Sequence, residues 1–236
     1  MKDAEVCLDF PNYSLFRADR GLGPDGHPRV GGGVALYLRD DLSGDCLATY
    51  DNGVVEMIVV KIHQLDSILV VMYRPPDTTA SELRGALTCL DETLSSLGAP
   101  LPSVVLCGDL NLGSAAVRWR RSVDGNLVPS IAGHREGETS GAMQASMLLD
   151  LCQKFGLIQQ VEGVTRQLSG ELLDLVFTSD ENLISHVELE NYPSFTDHAI
   201  VTCYTTLETS GQNAAHEKSY LCDTGRRYGS LDNTLN

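Results

Sequence analysis

The chain has 236 residues, 42% hydrophobic and 21% charged, enough for one large domain or two small ones with a real buried core. Its 17 Lys and Arg against 32 Asp and Glu give a net charge of -15, which disfavours non-specific nucleic-acid binding unless local cations or a bound metal ion override the mean field. The odd set of seven Cys contains no C-x-x-C pair, which argues against a disulfide framework or a structural zinc site.

The longest apolar run, Ile68 to Tyr73, is too short to span a bilayer, and the first ten residues carry no apolar signal segment. An intracellular protein with no membrane partner is therefore expected. Phe10 to Tyr13 reads as a turn, and Arg17 to Val30 as a polar, Gly- and Pro-containing loop. Gly31, Gly32 and Gly33 then open a strand, Val34 to Leu38. No helix pattern or Lys-Ser/Thr follows them, so a phosphate loop is rejected in favour of a close backbone approach.

Val54 to Ile62 and Ser67 to Tyr73 read as two strands joined tightly through His63 to Asp66, an antiparallel hairpin stopped at Pro75 and Pro76. Leu83, Leu87, Leu90, Leu94 and Leu97 make one apolar stripe at helical spacing, capped by Ser81 or a nearby Thr and closed by Gly98. Ser103 to Leu106 is a buried strand that ends abruptly in Cys107-Gly108-Asp109-Leu110-Asn111. This strand-helix-strand rhythm predicts a layered α/β domain.

Leu112 to Gly141 reads as a long irregular segment holding Arg118, Trp119, Arg120 and Arg121. A second helix is marked by Met147, Leu148, Leu151, Cys152 and Phe155 and stopped by Gly156. Leu157 to Val161, Leu173 to Phe177, Ile184 to Leu189 and Ala199 to Thr205 read as further strands. From Glu208 the pattern fades into a linker-like tail, with Tyr220 to Asn236 holding a few spaced apolar residues. The expected division is a domain over 1–207 and a tail over 208–236.

Four strand ends carry residues suited to metal or phosphate chemistry: Tyr73, Asp109 with Asn111, Asp174 within Leu172 to Val176, and Asp197 with His198. Singly, each has a structural alternative: a half-buried Tyr, an Asx turn, a paired core acid, a polar turn. Together they are more specific. An acid inside an apolar strand is costly to bury alone, so ordered strand-end acids suggest a shared cation or a hydrogen-bonded histidine.

At these residues the chain resembles the endonuclease/exonuclease/phosphatase superfamily, and within it the endonuclease domain of non-LTR (LINE-type) retrotransposon polyproteins. The matching pieces are Gly31 to Leu42, Tyr73-Arg74-Pro75-Pro76, Gly108 to Asn111, Thr165-Arg166, Leu173 to Thr178 and Thr196-Asp197-His198, in the family's order. The resemblance implies an α/β fold, a four-layer sandwich of two facing mixed sheets with helices outside. It implies Mg²⁺-dependent (alternatively Mn²⁺-dependent) nicking of DNA to leave a 3′-hydroxyl that primes reverse transcription. DNA and a reverse transcriptase domain in the parent protein are the implied partners, with a nuclear location if chromosomal DNA is the target.

Carried over residue by residue, Asp109 and Asn111 would position the attacking water and the scissile phosphate. Asp174 would orient His198, and His198 would donate to a phosphate oxygen. Asp197 would contribute to the metal region, and Tyr73 would contact the phosphate or leaving group. Thr165 and Arg166 would contact the substrate backbone, and Thr196 keeps the hydroxyl of the family's Ser-Asp-His. The family's first strand-helix-strand unit, with its Asn and metal-binding Glu, has no counterpart here, and Glu5 does not replace it. The chain is therefore expected to be impaired, with weakened metal binding. A non-catalytic retrotransposon fragment and a phosphomonoesterase or inositol-phosphate phosphatase of the same superfamily are the alternative readings.

Overall fold

Runs of β-branched residues build the centre of the molecule. The computed structural model describes residues 10–22, 26–27, 32–131, 140–194, 196–205 and 218–222. The expectations for Glu5, for Gly31 and for most of the tail lie outside them.

The elements, in chain order, are β1 (Tyr13–Ala18), β2 (Val34–Arg39), β3 (Gly44–Asp51), β4 (Glu56–Ile62), β5 (Ser67–Tyr73), α1 (Ala80–Ser96), β6 (Ser103–Asp109), β7 (Val117–Arg121) and β8 (Leu127–Ile131). They continue with α2 (Ser140–Lys154), β9 (Ile158–Gln159), β10 (Asp174–Thr178), β11 (Ile184–Asn191), β12 (Ala199–Thr205) and β13 (Lys218–Cys222). Eight strands form one sheet in the order β3-β4-β5-β6-β10-β9-β8-β7, three form a second in the order β11-β12-β13, and β1-β2 make a ribbon. The β5–β6 pair is parallel, with α1 as its crossover, and its other neighbours are antiparallel, so the large sheet is mixed.

Both faces of the large sheet are covered. Outward-facing Met57, Val59, Val70, Met72, Leu106, Leu175 and Phe177 pack with Leu83, Leu87, Leu90 and Leu94 of α1 and Leu148 and Leu151 of α2. Inward-facing Ile58, Val60, Leu69, Val105 and Val176 pack with Ala18, Leu38, Val201 and Cys203 from the ribbon and the second sheet. The architecture is the α/β sandwich that the sequence resemblance implied.

Local chemistry sets the boundaries. Thr79 caps α1 with a full capping box, its hydroxyl accepting from the Glu82 backbone N–H and the Glu82 carboxylate accepting from that of Thr79. The cap is thus a threonine two residues before Ser81. Gly98 follows α1 at φ 76° and Gly156 follows α2 at φ 65°, as the helix ends predicted.

Two expectations change. The turn before Tyr13 is present, but β1, paired with β2 along its whole length, takes in Arg17 and Ala18 of the expected loop. The irregular segment after Asn111 contains the β7–β8 hairpin, and Gly44 to Asp51, where the sequence marked no element, is β3. Polar, half-exposed strands toward the two ends of the large sheet lack the apolar run that marks β4 to β6, so their pattern is weak. Residues 218–222 pair with β12 from Lys218 to Cys222.

Candidate active site

One row of polar residues crosses the large sheet at the ends of its strands. Asp51 is opposite Glu56, and Glu56 is opposite Tyr73. Asp109 is opposite Asp174. The β5–β6 alignment runs to Val71 beside Cys107, and Tyr73 and Asp109 each stand two residues further on. The two-residue period puts Glu56, Tyr73, Asp109 and Asp174 on the face shared with Ile58, Val71, Cys107 and Val176, toward the second sheet. His198, immediately before β12, reaches the row from that sheet.

Backbone packing permits this convergence at Gly108. Its φ is 144°, and a Cβ there would sit 1.8 Å from the Met72 carbonyl oxygen. No other residue allows β5 and β6 to approach so closely where both strands end. The turn that follows is locked by Arg74. Its backbone N–H donates to the Asp109 carbonyl at 2.9 Å, its Nη1 to the carbonyls of Leu110 and Asn111 at 3.0 and 3.2 Å, and its Nε to Gln144 Oε1 at 2.6 Å. In return Asn111 Nδ2 donates to the Arg74 carbonyl at 2.9 Å, and the Asn111 backbone N–H to Asp109 Oδ1 at 3.1 Å. Asn111 holds φ at 48°, a region asparagine tolerates better than most residues.

Asp109, Asp174 and His198 offer ligand atoms that all lie within 4.8 Å of one another. His198 Nδ1 donates to Asp174 Oδ2 at 2.8 Å, which fixes the tautomer and the ring orientation. This hydrogen bond, assisted by the charges of Asp174 and Asp109, raises the His198 pKa against the opposing effect of burial. Asp109 is pushed up to about 6, first by burial and then by the Asp174 charge. Its carboxylate therefore takes up protons far more readily than an exposed one. Burial also raises the Tyr73 phenol, and the Asp109 charge adds to the effect.

The other predicted residues surround this centre. Thr165 is fully buried. Its hydroxyl accepts from the backbone N–H groups of Leu173 and Asp174 at 2.9 and 3.0 Å, and its carbonyl accepts from Ala199 at 2.6 Å. It holds the Asp174 and His198 segments together and offers the substrate no surface. Arg166 donates from Nε to Asp197 Oδ2 at 3.1 Å. Burial pushes the Asp197 carboxyl up, but the Arg166 bond and charge outweigh it, and the net shift is downward. The Thr196 hydroxyl accepts from the His198 backbone N–H at 3.1 Å.

The arginine cluster sits at the far edge of the sheet on β7, where Trp119 meets Phe177 edge-on with ring centroids 5.7 Å apart and Arg121 is ion-paired with Glu162. Sequence reasoning missed Arg20 and Glu56. The signal was present: Glu56 stands in Val54-Val55-Glu56-Met57-Ile58, an acid inside an apolar strand just as Asp174 is.

The family can now be stated. A family model described as endonuclease-reverse transcriptase matches residues 68–202, a span that contains Tyr73, Asp109, Asn111, Asp174, Asp197 and His198. The chain belongs to the endonuclease-reverse transcriptase family. With it, the chain is a member of the endonuclease/exonuclease/phosphatase superfamily, whose members are nucleases and phosphoesterases. Among solved structures, the endonuclease domain of TRAS1, a telomere-specific non-LTR retrotransposon, shares the fold at a TM-score of 0.54 and 16% identity, over 84% of this chain and 80% of that one. An endonuclease/exonuclease/phosphatase family protein from Bacteroides thetaiotaomicron matches at a TM-score of 0.45 and 11% identity, over 82% of this chain and 73% of that one. A mannosyl-6-phosphatase from the same organism matches at 0.43 and 12%, over 81% and 76% of the two chains. No curated protein matches this chain.

Proposed function

We propose that this endonuclease-reverse transcriptase family member cuts a DNA phosphodiester bond at the Asp109–Asp174–His198 centre, with a divalent cation that it binds weakly, so that cleavage is impaired. The observation that carries the reading is the convergence of Asp109, on one sheet, with the Asp174–His198 pair bridging to the other.

The residues fit a magnesium-type ion. Such ions bind through one or two carboxylates and complete their shell with water and substrate phosphate. Asp109 offers a carboxylate oxygen beyond the one that accepts from Asn111, whereas Asp174 Oδ2 is engaged by His198. Asp197 stands beside His198 with one oxygen taken by Arg166 and extends the acidic region. Bound there, the cation would neutralise charge that builds on the phosphate in the transition state.

The chain's own groups then divide the work. Asp109, held in its turn with one oxygen on the Asn111 backbone N–H, takes the proton from the attacking water. Asn111, fixed by its turn, orients that water and the phosphate. His198, whose protonated form Asp174 favours, donates from Nε2 to a phosphate oxygen, where preorganised charge stabilises the pentavalent state. Tyr73 places its phenol beside the phosphate or leaving oxygen. In the same proposal, cleavage leaves a 3′-hydroxyl, and a reverse transcriptase domain in the parent protein extends it.

A nicking assay on supercoiled plasmid with Mg²⁺, beside hydrolysis of a soluble phosphomonoester, tests the substrate class. Open-circular product with polymerase-extendable 3′ ends is expected. Turnover of the monoester with the plasmid left intact would overturn the DNA reading.

A further inference from the structure

Glu56 has no exposed surface and Arg20 very little, yet neither belongs to the centre described above. A buried ion pair is rarely the most stabilising use of such a position, because desolvation offsets most of the attraction. The molecule nevertheless devotes three chain segments to this pair. Arg20, from the loop after β1, grips the Glu56 carboxylate with a two-point fork, Nε to Oε1 and Nη2 to Oε2, and also donates from Nη2 to the Val54 carbonyl at 3.3 Å. The Gly33 backbone N–H supports the same carboxylate. Gly32, at φ 88°, lies so close that a Cβ there would come within 2.2 Å of the guanidinium carbon of Arg20. Gly32 and Gly33 therefore form a collar for an arginine.

The clamped guanidinium has one neighbour in the reaction centre. It lies over the Tyr73 ring, 5.4 Å from the centroid, and Tyr73 is the cross-strand partner of Glu56. Tyr73 stands level with Asp109 on the next strand. We propose that Arg20 and Glu56 are positioning residues for Tyr73: Glu56 immobilises Arg20, and the Arg20 guanidinium fixes the phenol against Asp109 and the scissile phosphate. The inference rests on the phosphodiesterase reading. Burial and the Asp109 and Glu56 charges raise the phenol's pKa, and the Arg20 charge and hydrogen bond offset part of that rise. Those three charged groups surround the ring, and Arg20 is the cation among them.

The test uses the full chain with ¹³Cζ-labelled tyrosine. Tyr73→Phe assigns the Tyr73 signal among the eight tyrosines. Arg20→Gln is expected to raise the Tyr73 titration midpoint by about one pH unit, a tenfold change in its ionisation constant. Arg20→Lys, which keeps the charge and loses the fork, is expected to restore only part of that shift. Glu56→Gln, close in shape, is expected to broaden and displace the same signal by freeing Arg20. In plasmid nicking, Arg20→Lys is expected to lower kcat about tenfold with KM nearly unchanged, and to lose nothing further in a Tyr73→Phe background. A Tyr73 midpoint that ignores Arg20, or full additivity of the two substitutions in kcat, would overturn the proposal. A midpoint that moves as expected in a chain without nicking activity would support the placement of Tyr73 and overturn the phosphodiesterase reading.

Discussion

The two faces of the large sheet are built to different ends. The outer face is apolar across its centre, from Met57 and Val70 to Leu106 and Phe177, and two helices pack on it. The inner face is equally apolar through Ile58, Leu69, Val105 and Val176, then turns polar at the strand ends in Glu56, Tyr73, Asp109 and Asp174. The same backbone supports both, since alternate residues of β4, β5, β6 and β10 supply each face. Stability is concentrated on the outer face. The inner row lowers stability by burying carboxylates, and in the proposed mechanism that cost keeps a proton acceptor and a cation-binding group out of bulk water.

Substitutions on the two faces should therefore separate activity from stability. The largest effect belongs to the inner face. Asp174→Asn keeps the shape but removes the acceptor that sets the His198 tautomer, and activity is expected to fall on the order of 10³- to 10⁴-fold with the fold intact by circular dichroism. Comparable loss of activity and of structure together would break the comparison. Next comes the outer face: Leu90→Ala, at a fully buried α1 position, is expected to cost about 3 kcal/mol in urea unfolding while activity per folded molecule stays unchanged.

Asp109→Asn should do the reverse of Leu90→Ala. The folded carboxyl titrates at about 6 against an ordinary 3.8, so the fold prefers its protonated form. Stability from this group is full at low pH and is lost as pH rises through the interval from about 4 to 6. Asp109→Asn is expected to stabilise the chain by about 3 kcal/mol at pH 7 and to flatten thermal unfolding across that interval, while nicking is lost. The smallest effect is that of His198. Its folded pKa is raised above 6.5, so its stabilising contribution is present below 6.5 and is lost as pH rises through the folded value. His198→Gln is expected to remove that last decline in melting temperature and leave the decline due to Asp109 in place.

Much of this arrangement was legible in the sequence. The strand-end signals at Asp109, Asp174 and His198 survive because chemistry at the end of a buried strand interrupts an apolar run, and an interruption is visible without a structure. The helices and β4 to β6 were legible through periodicity, and the Thr79 cap was within reach because a threonine lies three residues before Glu82. The strands toward the two ends of the large sheet, β3, β7 and β8, were not, since half-exposed strands alternate weakly. Arg20 was hidden for another reason. It lies in an irregular loop 36 residues before Glu56, and only the folded chain brings the two together. Thr165 was found by resemblance, but its burial beneath Asp174 follows from packing that no local pattern carries.

The most direct measurement of the central claim is the initial rate of plasmid nicking by the native chain, Asp109→Asn and His198→Ala, each with Mg²⁺ and with Mg²⁺ chelated. The account predicts slow, metal-dependent nicking by the native chain and loss of at least about a hundredfold in either folded variant. Nicking that survives both substitutions, or its absence from the folded native chain, would contradict it.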